Sequence, residues 1–291
     1  MNFSPLRYPG GKNKIAKFVK VLIKKSKMDD IVYVEPFAGG SGVALSLLMS
    51  DLVENIVIND YDKAIYSIWK AIKEDSNNFI DLIEETPITI EEWYRQKEIY
   101  ESRNSKYSLE LAFAAFFLNR TNRSGILKAG PIGGYTQTGN YLIDVRFNKS
   151  ELINRIRNIA QRKNRIFVYN QDVRIFLRRY LPRYNNVFVY LDPPYYNKGK
   201  ELYKNFFSDK DHREIAHLVS QLNCQWMVTY DVEDTIIELY KDYSQKKFDL
   251  YYSAAKKIIK SEIMVVSNNH LWPTSEELLK NKININLREE G

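Results

Sequence analysis

The sequence has a single cysteine, Cys224, among its 291 residues. No internal disulfide can form, and a lone thiol in an apolar run fits a buried bystander in a reducing cytoplasm better than a nucleophile. Histidine is scarce too. His212, His217 and His270 have no cysteine partners at ligand spacing, so no metal site is expected. Long hydrophobic runs are missing: the longest mainly apolar stretch, Leu109 to Leu118, is too short to span a bilayer. The first apolar run is interrupted by Lys17, Lys20, Lys24 and Lys25, which argues against a secretory leader. A soluble, cytoplasmic protein with no membrane partner is expected. Acidic side chains are in deficit, 36 against 43 basic, and the resulting charge of +7 favours a polyanionic partner. Internal repeats and low-complexity linkers are also lacking. The length suits one large domain or two modest ones.

What is present centres on Val187-Phe188-Val189-Tyr190-Leu191-Asp192-Pro193-Pro194-Tyr195-Tyr196. The unbroken apolar run has the length and composition of a strand buried on both faces. Two prolines stop it, since neither donates to a ladder and both fix φ. A carboxylate, a stiff turn and an aromatic ring then stand at the carboxyl end of a buried strand, where open α/β sheets bind ligands. This turn suits methyl transfer to an amino nitrogen on a nucleobase. Such a nitrogen is a poor nucleophile because its lone pair is delocalised into the ring. Asp192 and the carbonyl of Pro193 can each accept one of its hydrogens and aim the lone pair outward. Tyr195 can stack on a base that has left its helix. The plainer alternative is a structural turn closing the sheet.

A second strand pattern, residues 31–35, leads into Pro36-Phe37-Ala38-Gly39-Gly40-Ser41-Gly42 and a helical run from Val43. Strand, glycine-rich turn and helix is the context of a nucleotide loop. The turn is not G-x-G-x-x-G and has no phosphate lysine, which suits a nucleoside cofactor without a pyrophosphate. An ordinary tight turn remains open. The third strand pattern, starting at Asn55, ends at Asn59-Asp60, and an acidic residue at that place can bind ribose hydroxyls. Near the amino end, Gly10-Gly11-Lys12 precedes an amphipathic helix to about Lys27. It fails as a phosphate loop, because Leu6 and Asn13 break the pattern, though one lysine at a helix start can hold a carboxylate.

Between 62 and 122 the chain reads as successive helices, roughly 62–75, 77–85, 90–103 and 108–119. A polar, basic loop follows, from Asn119 and Arg120 through Asn122, Arg123, Ser124 and Lys128 to Tyr135 and Gln137. Gly139-Asn140 between short polar-aromatic arms predicts a hairpin. These side chains are of the kinds that read base edges in a major groove, and a solvated loop is the alternative. A helix resumes over 149–163, a strand over 166–169, and a further helix after Asp172 carries Arg174, Arg178 and Arg179. Asp172 can cap that helix or face an adenine. Residues 197–209 form a loop able to close over a substrate. Beyond it come a helix at 209–222, a strand at 225–229 and strand-like runs near 246–252 and 261–266, with Lys256, Lys257 and Lys260 between the last two.

Taken in order, Leu6-Arg7-Tyr8-Pro9-Gly10-Gly11-Lys12, Glu35-Pro36-Phe37-Ala38-Gly39-Gly40-Ser41-Gly42, Asn59-Asp60, Leu118-Asn119-Arg120 and Asp192-Pro193-Pro194-Tyr195 resemble the Dam-like (D12 class, alpha-group) DNA adenine-N6 methyltransferases. The resemblance covers nearly the whole chain. It implies a Rossmann-like α/β methyltransferase sheet with helices on both faces, formed by residues 1–61 and 149–291. It also implies an inserted, mainly helical target-recognition domain with a hairpin at 62–148. S-adenosylmethionine is the implied methyl donor. Tyr8, Lys12, Glu35, Phe37, Gly39, Asp60, Asp172 and Asp192 are its implied contacts, and Asp192, Pro193 and Tyr195 the catalytic group. Double-stranded DNA is the implied partner, met through Asn119, Arg120, Asn122, Arg123, Ser124, Lys128, Tyr135 and Gln137. Relatives of Dam itself carry a Tyr-Asn pair after the Asn-Arg to enter the duplex and read GATC. Arg123-Ser124 stands there in this chain, so that specificity is not carried over. The same chemistry on cytosine N4, an RNA base or a protein glutamine, or an inactive DNA-binding module, are the competing readings. A companion restriction endonuclease, an orphan role and a phage-borne role are all compatible with these residues.

Overall fold

The computed structural model describes residues 3–7, 12–102, 107–196, 207–253 and 257–289. The chain divides into two compact units. Unit 2 comprises 10–37, 42–58 and 171–291, and unit 1 comprises 1–9, 38–41 and 59–170.

Unit 2 is built on a sheet. Its strands are β1 (Val32–Glu35), β2 (Asn55–Asn59, whose last residue passes into unit 1), β4 (Val187–Leu191), β5 (Gln225–Asp231), β6 (Ser244–Ser253), β7 (Lys257–Val266) and β8 (Leu287–Glu289). Their order is β2-β1-β4-β5-β7-β6-β8. The first four run parallel, and β5, β7, β6 and β8 pair antiparallel. β4 lies between β1 (Val32↔Val187) and β5 (Phe188↔Gln225), and every one of its residues is buried. That position accounts for its unbroken apolar sequence. The helices beside the sheet are α1 (Lys12–Ser26) and α2 (Gly42–Leu48). In α1 the residues Ile15, Phe18, Val19, Leu22 and Ile23 recur at helical spacing and are buried.

The chain leaves β1 toward β2 on one side and returns through β4 toward β5 on the other. Right-handed crossovers therefore put the two sets of connecting helices on opposite faces of the sheet. They also make the carboxyl ends of β1 and β4 a topological switch point, where doubly wound sheets open a crevice. Glu35 ends β1, and Asp192 follows β4.

Unit 1 is mainly helical: α3 (Lys63–Glu74), α4 (Ser76–Glu85), α5 (Ile90–Glu101), α6 (Leu109–Thr121) and α7 (Lys149–Ala160), with the strand β3 (Ile166–Tyr169). α6 is apolar on all sides, and Leu111 to Asn119 are all buried. It is the central helix of the unit. Ser108 caps its start, accepting from Leu111 N at 3.1 Å. Phe79, Phe113, Phe116, Phe117 and Phe147 pack edge-on or tilted around it.

The expected hairpin does not form. Among the described residues no strand lies between 132 and 148. Instead the loop folds through consecutive turns, with Gly134 N donating to Pro131 O, Gln137 N to Gly134 O and Gly139 N to Gly133 O. Gln137 crosses the loop, donating to Ile132 O and Gly134 O and accepting from Ile143 N. Its amide replaces a ladder. The single helix expected after Asp172 is also broken up. It is a short turn α8 (Val173–Ile175), a wide turn over Phe176–Tyr180 and a last turn Leu181–Arg183. Pro182 has no N–H to carry a regular helix onward. Among the described residues, the remaining helices are α9 (Asp209–Ser220), α10 (Asp234–Leu239) and α11 (Ser275–Lys280).

Candidate active site

In unit 2, three side chains hold the turn after β4. Thr229 Oγ1, fully buried on β5, donates to Asp192 Oδ1 at 2.9 Å. Since that donation uses the only hydroxyl proton of Thr229, Tyr190 Oη must be the donor in the 3.0 Å bond between the two hydroxyls. Burial, then the charge of Asp192, push the Tyr190 hydroxyl well above its ordinary pKa, so it stays a donor. Asp231 Oδ1 accepts from Tyr196 N at 2.9 Å. Glu262 Oε1 accepts from Tyr195 Oη at 2.6 Å, and this carboxylate is only 2% exposed. Asp231 pairs directly with Glu262 across β5 and β7, and Thr229 lies two residues before Asp231. Residues two apart on a strand, and residues directly opposite across a pair, share a face. Three polar side chains therefore converge on a turn that two prolines have already stiffened.

Thr229, Asp231 and Glu262 were not singled out from the sequence. The available signal was a carboxylate opening the apolar run Ile263-Met264-Val265-Val266 and another closing the apolar β5.

At the end of β1, Glu35 is 5% exposed. Its Oε1 accepts from Ala44 N in the first turn of α2 at 2.9 Å and from Tyr33 Oη at 3.2 Å. The carboxylate ties the strand end to the helix start, where negative charge is favoured. Burial and then Glu35 push the Tyr33 hydroxyl well above its ordinary value, keeping it a donor. Phe37 stands edge-on to Phe207 at 5.8 Å, and Phe207 edge-on to His212 at 5.5 Å. Asp172 caps α8 by accepting from Arg174 N. Both of its oxygens also accept from the Arg174 guanidinium, at 2.9 and 2.7 Å, and Arg174 further bridges to Asp211 at 2.8 Å. Hydrogen bonding from Arg174 holds the Asp172 carboxyl below the usual carboxylate range. Of its two sequence readings, the cap is the one with visible partners. Cys224 is half-buried, and burial pushes its thiol up to about 11, so it is not a thiolate at neutral pH.

In unit 1, Asp60 follows β2. Its Oδ2 accepts from Gly39 N and its Oδ1 from Asp62 N, each at 2.8 Å. Gly39 has φ 45°, a left-handed conformation that glycine adopts without strain. Trp69 Nε1 donates to Gly39 O at 2.9 Å, fixing the turn from behind. The glycine turn and the acidic residue, some twenty positions apart in the chain, are thus joined by a direct bond.

The basic loop of unit 1 sorts into a supporting and an exposed set. Asn119, 1% exposed, accepts from Arg7 N and donates to Arg7 O and Gly125 O at 2.8–2.9 Å. Asn122, fully buried, accepts from Trp93 Nε1 at 2.6 Å and donates to Ile126 O and Leu127 O. Gly125 has φ 74°, and a Cβ there would meet Arg7 O at 2.6 Å. Arg120 is half-buried and donates to Pro5 O and Arg146 O. Burial and then neighbouring Arg7 lower its pKa to about 10, so it remains charged at neutral pH. These residues, with Gln137, shape the loop from beneath. Arg123, Ser124 and Lys128 are exposed, and Ser124 sits at φ 56°. Tyr135, 52% exposed, stacks on Tyr94 of α5 at 6.3 Å, and both stand edge-on to buried Trp93.

Tyr8, Gly10, Gly11, the substrate-loop residues 197–206 and Lys256 lie outside the described residues, as do the side chains of Lys12, Lys257 and Lys260. Among the described residues, no three His, Cys, Asp or Glu side chains are grouped to hold a metal ion, and no helix is long and apolar enough to cross a membrane.

A family model described as D12 class N6 adenine-specific DNA methyltransferase matches residues 8–264. The Type II methyltransferase M.MjaIII of Methanocaldococcus jannaschii is 23% identical over 236 residues, 75% of this chain and 79% of that protein. Among solved structures, the rRNA methyltransferase AviRa of Streptomyces viridochromogenes aligns with a TM-score of 0.37 at 10% identity, over 89% of this chain and 84% of its own. A protein described as a class I S-adenosylmethionine-dependent methyltransferase of Listeria monocytogenes aligns at 0.39 and 10%, over 91% of this chain and 63% of its own.

Proposed function

The chain belongs to the D12 class of N6 adenine-specific DNA methyltransferases, and on that footing we propose that it methylates adenine N6 at one short site in duplex DNA after flipping the base out of the helix. The observation that carries this reading is the turn after β4. Asp192 is oriented by Thr229, while Tyr195 and Tyr196 are held by Glu262 and Asp231. When bound, S-adenosylmethionine supplies a methyl group on positively charged sulfur. The donor set suits such a nucleoside cofactor. The turn 38–42 has no basic side chain for a pyrophosphate, and Asp60 offers a carboxylate oriented by two main-chain amides. Asp60 would take the ribose hydroxyls, with Tyr8, Lys12, Glu35, Phe37 and Gly39 the further contacts. Asp172, occupied by Arg174, keeps a supporting role.

The remaining work falls to the protein's own groups. Asp192 and the Pro193 carbonyl accept the two amino hydrogens and withdraw the nitrogen lone pair from ring conjugation. Because the acceptors are fixed beforehand, little reorganisation is left for the reaction itself. Tyr195 stacks on the flipped adenine. Residues 62–148 act as the target-recognition domain, with 1–61 and 149–291 carrying the chemistry. Arg123, Ser124, Lys128 and Tyr135 meet the DNA, and Asn119, Arg120, Asn122 and Gln137 hold them in place. The setting is the cytoplasm, as the modifying half of a restriction-modification pair or as an orphan enzyme.

Nucleoside mass spectrometry of unmodified duplex DNA incubated with the protein and S-adenosylmethionine tests the reaction. N6-methyl-2′-deoxyadenosine is expected; N4-methyl-2′-deoxycytidine, or no modified nucleoside in DNA, would overturn the reading.

A further inference from the structure

We propose that Glu262 is the positioning residue for Tyr195, setting the plane of its ring and raising the electron density of its face during methyl transfer. This rests on the adenine-methylation reading above.

The first observation is the cost of placing a carboxylate there. Glu262 is 2% exposed, and the four residues after it are apolar and at most 1% exposed. An apolar side chain of similar volume would serve the strand as well or better, since a buried charge must be fully compensated to break even. The second is the bond itself. At 2.6 Å, Tyr195 Oη to Glu262 Oε1 has the short length of a hydrogen bond to an ionised acceptor. The third is the register. Glu262 lies directly opposite Asp231, which holds the next main-chain amide, Tyr196 N, at 2.9 Å. A Tyr ring has two side-chain torsions. Pro194 restrains the backbone before it, Asp231 the backbone after it, and Glu262 fixes its far end. The ring plane is therefore set from both ends.

A fixed ring matters because charge develops beside it. As the amino nitrogen takes the methyl group, the C–S bond breaks and sulfur leaves neutral. The new N–C bond makes the nitrogen positive until it releases a proton to solvent. An aromatic face stabilises a nearby cation, and a phenol donating to a carboxylate carries more electron density in its ring than a free one. Glu262 acts on the reaction through Tyr195, as a positioning residue and not by touching substrate.

The test is a double-mutant cycle on single-turnover methylation with Glu262→Gln, Glu262→Ala, Tyr195→Phe and the Glu262→Ala/Tyr195→Phe pair, alongside cofactor affinity by calorimetry. Glu262→Ala and Tyr195→Phe should each slow the step by roughly tenfold or more, as one charge-assisted hydrogen bond is lost. Glu262→Gln, which keeps an acceptor, should recover part of that loss. The paired variant should be no slower than the slower single, and cofactor affinity should not change. Equal slowing by Glu262→Ala in the wild-type and Tyr195→Phe backgrounds would overturn the proposal. So would an unchanged rate. If Glu262→Ala does not fold, Glu262→Gln completes the cycle. The 19F signal of a fluorotyrosine placed at 195 provides a readout independent of turnover, and it should shift in Glu262→Gln. A protein that shows this shift but leaves adenine unmethylated would overturn the function proposal alone. An unmoved signal would overturn this one.

Discussion

Thr229 donates its hydroxyl proton to Asp192 across 2.9 Å, from a strand 37 residues further along the chain. The same oxygen accepts from buried Tyr190. The bond therefore orients the carboxylate that follows β4 and connects it to the core, through a side chain with no exposure of its own.

Thr229→Val keeps the shape of the side chain and removes this link. Tyr190 Oη loses its buried acceptor and Asp192 one donor. The fold should lose about 1–3 kcal/mol, the cost of an unsatisfied buried polar group, seen as a lower melting temperature. Single-turnover methylation should slow by about tenfold, because the acceptor for the amino hydrogen is no longer fixed.

Asp60→Ala should act on the cofactor and leave DNA binding alone. Hydrogen bonds to a charged group are worth about 1.5–3 kcal/mol, so the cofactor dissociation constant should rise by roughly tenfold to a hundredfold. Calorimetry with S-adenosylmethionine checks it. An unchanged constant would remove Asp60 from the ribose site.

The two classes of loop residue should separate in binding experiments. Lys128→Ala, at an exposed basic position, should weaken DNA binding for all sequences and lower the salt slope by about one. Asn122→Ala should instead reduce stability, since Trp93 Nε1 and two loop carbonyls lose their partner. Thermal melting and DNA titration together distinguish the two.

Asp172 predicts a pH dependence. Hydrogen bonding from Arg174 lowers its folded-state pKa below the ordinary value. A depressed carboxyl pKa contributes stability that is fully present above the unfolded value of about 4 and is lost as pH falls through the folded one. The melting temperature of Asp172→Asn should thus lie below wild type at neutral pH, and the gap should close on acidification below about pH 4.

Much of this was legible in the sequence where the signal is local. The apolar run of β4, the two prolines behind Asp192, and the glycine turn before Asp60 each declare themselves within about ten residues. The helices of unit 1 were legible from spacing. What was not legible depends on pairing between distant segments. Thr229 and Glu262 matter only because β5 and β7 bring them to the turn, and a carboxylate at the edge of an apolar run marks Glu262 as unusual without saying what it meets. Asn119 and Asn122 read as surface amides because their loop is polar. Arg7 and Trp93, far away in sequence, make them buried struts. The hairpin failed for a related reason: Gln137 satisfies the loop from inside, which composition around Gly139-Asn140 does not reveal.

The most direct measurement is long-read sequencing of genomic DNA from a host without adenine methylation, expressing the wild-type protein or Asp192→Ala. Methylated adenine at one short motif in the first sample and its absence in the second is the expected result. Equal methylation in both, or none in either, would contradict the role assigned to the turn after β4.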